Sequence, residues 1–154
     1  MGIVVSFNRV SDAELARVIA EPESYWEVVD SRDRAAEPSG YLDKAWHGLS
    51  YLLGRSGTGI DLFMGGDPIE NTEGLTAWSA QLVRETAQTL RGTPFSTLAA
   101  HYEPTTLEAA GIYPNIWAAE GEEALDYLRE YYDVLVKFFG SAADAESAAV
   151  MSMG

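Results

Sequence analysis

Apolar residues in this chain fall into a few short runs and several longer stretches of helical spacing. Ile3 to Phe7 is short, apolar and β-branched, which predicts a strand covered on both faces. Ser11 followed three residues later by Glu14 forms a capping box. A helix is therefore predicted from about Ser11 to Ala20, with Ala13, Leu15, Val18 and Ile19 on its apolar side. Pro22 can open a second, short helix carrying Tyr25, Trp26, Val28 and Val29. The charged stretch from Asp30 to Gly40, which contains Pro38, is a solvated connector.

The densest helical pattern follows, at YLDKAWHGLSYLLG, residues 41–54. Leu42, Ala45/Trp46, Leu49 and Leu52/Leu53 recur at the spacing of one helix face. Asp43 is the expected N-cap, and Gly54 the expected terminating position. A flexible Gly-rich loop at 55–59 leads to the short apolar segment Ile60–Met64 and a turn at Gly65–Pro68. Leu75–Trp78 is a short strand candidate, followed by a helix from about Ser79 to Arg91 with Leu82, Val83, Ala87 and Leu90 inside and Gly92 closing it. Two short helices are expected at Phe95–His101 and Thr105–Ala110. The loop Gly111–Trp117 holds too many large apolar residues to lie in water. Glu120–Phe139 is the longest predicted helix, with an acidic first turn and a stripe of Leu125, Leu128, Tyr132, Leu135 and Phe139. Beyond Gly140 the chain is Ala-rich, and Ala148–Met153 is a candidate last strand beside the first. These elements make a helix-rich α+β fold, a single domain over residues 1–154, with a small sheet that includes the N-terminal strand.

Composition narrows the function classes. The chain has 154 residues, 47% of them hydrophobic, enough to bury roughly two-thirds of the unfolded surface. No cysteine is present, so there is no disulfide framework, thiol chemistry or Cys-type zinc site. A formal net charge of −14 repels nucleic acid and anionic lipid and favours basic partners or plain solubility. No apolar run approaches the roughly 20 residues of a membrane span, and the N-terminus lacks the features of a secretory signal. Residues 1–6 match the M-G-x-x-x-[ST] myristoylation pattern. However, no polybasic patch or cysteine supplies a second anchor. A cytoplasmic protein that binds neither membrane nor nucleic acid is expected.

The chemically capable residues gather near the start of the 41–54 helix. Asp43 precedes His47 by one helical turn, the pairing by which an enzyme orients an imidazole base. No nucleophile of recognisable context accompanies them, and a structural, hydrogen-bonded His47 is the expectation. Lys44 is expected in a surface ion pair. His47 and His101 are the only histidines and neither belongs to a ligand motif. A metal would need carboxylates from distant loops, such as Asp61 or Asp67; no metal and no cofactor are expected. Gly54, Gly57 and Gly59 lack the ending of a phosphate loop and follow a helix, not a strand. Ser56 lacks the final glycine of a nucleophile elbow. The Tyr113–Trp117 loop is expected to lie over the core, close to Trp46.

Three segments together, LDKAWHGL at 42–49, GGDPI at 65–69 and AGIYPNIW at 110–117, resemble the YfbM-like family of small bacterial proteins. The opening strand and the GEEALDYLREYY helix fit as well, so the likeness spans nearly the whole chain. It implies a single cytoplasmic α+β domain. The family carries no established activity, so no catalytic residue transfers. The tail AADAESAAVMSMG is more Ala-rich than the family pattern. The functional expectation is a binding or regulatory module offering an acidic surface to a basic protein partner. The competing expectation is a small-molecule enzyme whose cleft is formed by Asp43, Lys44, Trp46 and His47 with Tyr113 and Trp117. Carboxylates gathered on one face would favour the first, and these residues around one concave pocket the second.

Overall fold

A computed structural model describes residues 2–31 and 36–154. The order is β1 (Val5–Val10), α1 (Asp12–Ala20), a 3-10 turn (Pro22–Ser24), α2 (Tyr25–Asp30), β2 (Gly40–Asp43) and α3 (Trp46–Arg55). There follow β3 (Asp67–Pro68), β4 (Leu75–Trp78), α4 (Ala80–Arg91), α5 (Phe95–Ala99), α6 (Pro104–Ala109), α7 (Trp117–Glu120), α8 (Glu122–Asp144) and β5 (Ala148–Met153). The strands form one antiparallel sheet in the order β2-β1-β5-β4-β3. The class is α+β, as the pattern predicts.

The last strand sits at the centre of the sheet. Along its whole length β5 pairs with β1, from Val5 opposite Met153 to Val10 opposite Ala148, and its other edge takes β4. The first strand accordingly runs to Val10, past the predicted end at Phe7. Alternation along β1 and β5 divides the interior in two. Val5, Phe7, Ala149 and Met151 join the larger core with Trp78 and helices α3, α4 and α8; Val10, Ala148 and Val150 join a smaller one under α1 and α2. Helices thus lie on both faces of the sheet.

Local signals explain most boundaries. In α1 the Glu14 N–H donates to Ser11 Oγ at 3.1 Å and the Ser11 N–H to Glu14 Oε1 at 2.8 Å, the predicted capping box. Leu15 and Val18 are buried there, whereas Ala13 and Ile19 are exposed. Ser79 caps α4 through its Oγ. The longest helix differs from the expectation at both ends. Gly121 adopts a positive φ of 51°, which splits off α7, and α8 then continues through Gly140 into the Ala-rich segment as far as Asp144. Alanine is the strongest helix former, so this extension needs no other cause. The charged connector keeps Pro38 outside regular structure, while residues 32–35 of it, like Met1 of the N-terminal pattern, lie outside the described residues. Among the described residues no helix is long and apolar enough to cross a membrane.

Helix α3 corrects two further expectations. Asp43 is the last residue of β2, not a cap, and the helix begins at Trp46 with Ala45 in the cap position. Gly54 lies within the helix. The left-handed residue that ends it is Gly57, at φ 75°, where Thr58 N–H reaches the Leu53 carbonyl and Gly57 N–H the Gly54 carbonyl. The buried face is as predicted: Leu49, Leu52 and Leu53 are inaccessible. Gly48 sits where a Cβ would lie 2.7 Å from the Trp117 ring and 2.9 Å from Leu128 Cδ2. The absent side chain lets α3 approach α7 and α8. Replacing Gly48 with Ala should destabilise the protein by about 1–2 kcal/mol, an overpacking cost partly offset by better helix propensity. Urea unfolding of the two proteins measures it, and a more stable variant would contradict the close approach.

Candidate functional site

The junction between β2 and α3 places the candidate residues. Asp43 turns the chain with a φ of 50°, a region that Asp tolerates better than most residues. Its carboxylate accepts hydrogen bonds from the Tyr127 hydroxyl at 2.6 Å and the Tyr41 hydroxyl at 3.1 Å. The Tyr127 oxygen in turn accepts the Lys44 backbone N–H at 3.1 Å. Tyr127, from α8, therefore does at this helix start what a capping side chain would otherwise do. Its bond to Asp43 holds the carboxyl below its usual range, against the opposing effect of burial, with Tyr41 adding to the shift. Burial, and then the Asp43 bond, push the Tyr127 hydroxyl up. Asp43 thus belongs to a tyrosine cluster and does not orient His47.

His47 has another partner. Its Nδ1 accepts the Tyr113 backbone N–H at 2.9 Å, which leaves the proton of the neutral ring on Nε2. The ring is stacked on Trp46 at 4.9 Å and 9°, and Tyr113 stacks near Trp46 at 6.0 Å and 29°. Burial holds the imidazole below its ordinary pKa, while the Asp61 carboxylate pulls the other way. In this state His47 is a hydrogen-bond donor through Nε2–H and cannot also take a proton there. That disfavours the general-base role that the Asp43–His47 spacing suggested.

The loop after α6 clamps the start of β1. Trp46 Nε1–H donates to the Ile3 carbonyl at 3.0 Å, and the Ile3 N–H donates to the Tyr113 hydroxyl at 2.9 Å. A Cβ on Gly2 would lie within 2.8 Å of Lys44 Nζ and 2.6 Å of the Tyr113 hydroxyl, so the Lys44 side chain lies across this segment. Trp117 is fully buried and donates Nε1–H to the Ile112 carbonyl at 2.8 Å. The structure therefore brings Trp46, His47 and Tyr113 together with Lys44 nearby, puts Asp43 in its tyrosine cluster, and encloses Trp117 in the core.

Beside α3 lies a cavity of about 360 Å³ that the sequence pattern did not reveal in full. Trp46 and His47 line it, joined by Ser50, Asp61, Phe63 and Ile112. Asp61 is held by the N–H groups of Phe63 and Met64 on its Oδ1, at 2.9 and 2.8 Å. Ser50 Oγ accepts the Leu62 N–H at 3.0 Å. An Asp followed by backbone donors two and three residues on is an Asx turn, and this was the available signal for Asp61. Among the described residues, no group of three or more His, Asp or Glu side chains is placed to hold a metal ion.

The comparisons with known proteins bear on this arrangement as a whole. A family model, a domain of unknown function designated DUF1877, matches residues 1–152. The chain belongs to the DUF1877 family. Among solved structures it is similar to a protein of unknown function, YfbM from Escherichia coli, with a TM-score of 0.68 and 14% identity over 98% of this chain and 99% of that one. At that identity the likeness establishes the fold. No curated protein matches. Within this DUF1877 chain, two of the three recognised segments, LDKAWHGL and AGIYPNIW, meet at the His47–Tyr113 bond and the Gly48–Trp117 contact. In GGDPI, Gly65 and Gly66 lie against the Trp78 ring, where a Cβ would clash.

Two measurements follow from this geometry. Because the Asp43 carboxyl is depressed in the fold, its stabilisation is present above the unfolded value near 4 and is lost as pH falls through the folded value. Asp43→Asn should therefore cost about 1–2 kcal/mol at neutral pH, toward the low end for bonds to a charged group because the carboxylate is part-exposed. The gap between the two proteins should close in acid, which chemical denaturation at a series of pH values checks. At His47, an asparagine oxygen can occupy the position of Nδ1 and keep the Tyr113 bond, whereas the longer glutamine cannot. His47→Gln should be less stable than His47→Asn by about 1 kcal/mol, the worth of one such bond. Thermal unfolding of the pair checks the ranking; equal midpoints would mean that the Nδ1 bond contributes nothing.

Proposed function

We propose that this DUF1877 protein is a binding module that offers the end of the molecule built from α6, α7 and the start of α8 to a basic protein partner. The observation that carries the reading is a charge imbalance at that end. Residues 92–128 contain no Lys or Arg, and their charged residues are Glu103, Glu108, Glu120, Glu122, Glu123 and Asp126. Glu103, Glu120, Glu122 and Glu123 are exposed.

Packing gathers these side chains. The Tyr102 hydroxyl donates to the Gly121 carbonyl at 2.6 Å, which draws the Glu103 end of α6 against the Glu120–Glu123 corner. The Ala118 N–H donates to Glu108 Oε1 at 3.2 Å. Burial raises the Tyr102 hydroxyl above its ordinary value, and the fields of Glu122 and Glu120 raise it further. Other carboxylates, Asp126 of this end among them, are partly neutralised, in the pairs Arg9–Glu37, Arg17–Glu27, Arg91–Asp144, Arg129–Asp126 and Lys137–Asp133. No such pair among the described residues involves Glu103, Glu108, Glu120, Glu122 or Glu123. Concentrated negative charge of this kind steers association with a basic surface and sets its salt dependence. The small-molecule enzyme is the weaker reading, because His47 already spends its accepting nitrogen on Tyr113 and Trp117 is enclosed.

Two neutralised variants of equal net charge test the assignment. One carries Gln at Glu103, Glu120, Glu122 and Glu123; the other carries Gln at the exposed Glu21, Glu70, Glu85 and Glu130. Titrated with a fluorescent oligolysine peptide at about 0.1 M salt, the first should bind about tenfold more weakly than the second, since local charges dominate within a Debye length of about 10 Å. Equal weakening would show that overall charge, and not this end of the molecule, attracts the peptide. Duplex DNA should not bind either variant or the wild type under the same conditions.

A further inference from the structure

Helices α1 and α2 cover only part of their face of the sheet. The remainder floors a groove of about 790 Å³. On that floor Ser6 of β1 stands opposite Ser152 of β5, and Leu75 of β4 is the next partner across. Neither serine hydroxyl hydrogen-bonds to another described residue. The sides carry Glu23, from the turn before α2, Glu73, from the loop before β4, and Trp26 of α2.

Trp26 is unlike the other three tryptophans. Trp46, Trp78 and Trp117 are 8%, 1% and 0% exposed. Each donates its indole N–H within the protein, to the Ile3 carbonyl, to Thr76 Oγ1 and to the Ile112 carbonyl. Trp26 is 64% exposed, and its N–H meets no described residue. Its ring is nevertheless set in place, edge-on to the buried Tyr25 at 4.9 Å and 66°. A fixed indole with both its surface and its polar atom unused, at the side of a groove, is an arrangement that a ligand would complete.

The charges choose the ligand. Among the described residues Glu23 and Glu73 line the groove and no Lys or Arg does, so an anion is repelled and a cation attracted. An indole face attracts a cation more strongly than any other side-chain ring. The apolar floor at Leu75 suits alkyl carbons, and the two serine oxygens can accept from N–H groups. The volume falls within the usual range for small-molecule sites, about 300–1,000 Å³. We propose that this groove binds a small organic cation, an alkylammonium or guanidinium compound of polyamine size, with the cation between Glu23, Glu73 and the Trp26 ring. The site shares no residue with the acidic end around Glu103 and Glu122, so either assignment can fail without the other.

Trp26 is also the reporter. Acrylamide should quench one accessible tryptophan component, and Trp26→Phe should abolish that component. Spermidine or agmatine should shield it in a saturable manner at low salt, with the shielding weakened as salt is added. The double variant Glu23→Gln, Glu73→Gln should weaken the apparent affinity about tenfold while leaving the melting temperature unchanged, because both positions are exposed. Three results would overturn the proposal. In the first, neither amine shields Trp26. In the second, pentanediol, a neutral compound with a similar carbon chain, shields it equally well, which would make the groove merely apolar. In the third, an oligoarginine peptide shields it and the free amines do not, which would make it a protein-docking face.

Discussion

The turn at Asp43 is the constraint on which the helical side of the molecule depends. A strand must end and a helix begin within two residues, and the backbone achieves this by entering the left-handed region at φ 50°. That conformation costs a non-glycine residue roughly 1–2 kcal/mol. The carboxylate offsets the cost by accepting from Tyr127 and Tyr41, and the Tyr127 oxygen then satisfies the Lys44 N–H that no side chain of the helix start reaches. One residue of α8 therefore sets the direction of α3. The direction of α3 decides where Trp46 and His47 lie, and brings Gly48 under the Trp117 ring.

The division of labour among polar atoms separates architecture from surface. Trp46, His47, Tyr113 and Trp117 form the densest group of chemically capable side chains, yet their bonds run inward to Ile3, to Ile112 and to one another. They tie the N-terminal segment, the α3 start and the loop before α7 into one unit. Solvent-facing groups without internal partners are found instead at the acidic corner around Glu120–Glu123 and at the Trp26 groove. A polar atom already satisfied within the fold gains little from a ligand, whereas one facing water can exchange its hydration for a new contact.

Much of this was legible in the sequence where a local rule governs. The Ser11–Glu14 box, the start of α4 at Ser79 and the Leu49/Leu52 face follow from spacing alone; of the stripe Leu125, Leu128, Tyr132, Leu135 and Phe139, all but the half-buried Leu125 face the core. The proximity of the Tyr113 loop to Trp46 followed from the amount of apolar surface that both had to bury. What sequence could not supply was which side chains hydrogen-bond across long separations. Asp43 has the chemistry of a helix cap, and only a tyrosine 84 positions away makes it a turn residue. The Asp43–His47 pairing assumes a helix capped at Asp43, and the observed helix begins two residues later, with Ala45 in the cap position. Trp26 at helical spacing reads as a core residue. It is exposed because α2 is a single short helix whose buried side is already filled by Tyr25, Val28 and Val29.

The position of β5 has a consequence for how the molecule comes into being. Among the described residues, the segment from 148 to 153 is the strand that links the β2–β1 half of the sheet to the β4–β3 half. During synthesis, each half exists for a time as an isolated pair of strands with an open edge. Neither edge can close until the last strand has left the ribosome. Pairing residues 5–10 with residues 148–153 joins strands far apart in sequence, and contacts of such separation slow folding. Completion of the sheet therefore waits on that one pairing. A truncation of a few residues at 148–153 would remove not an edge but the seam of the sheet.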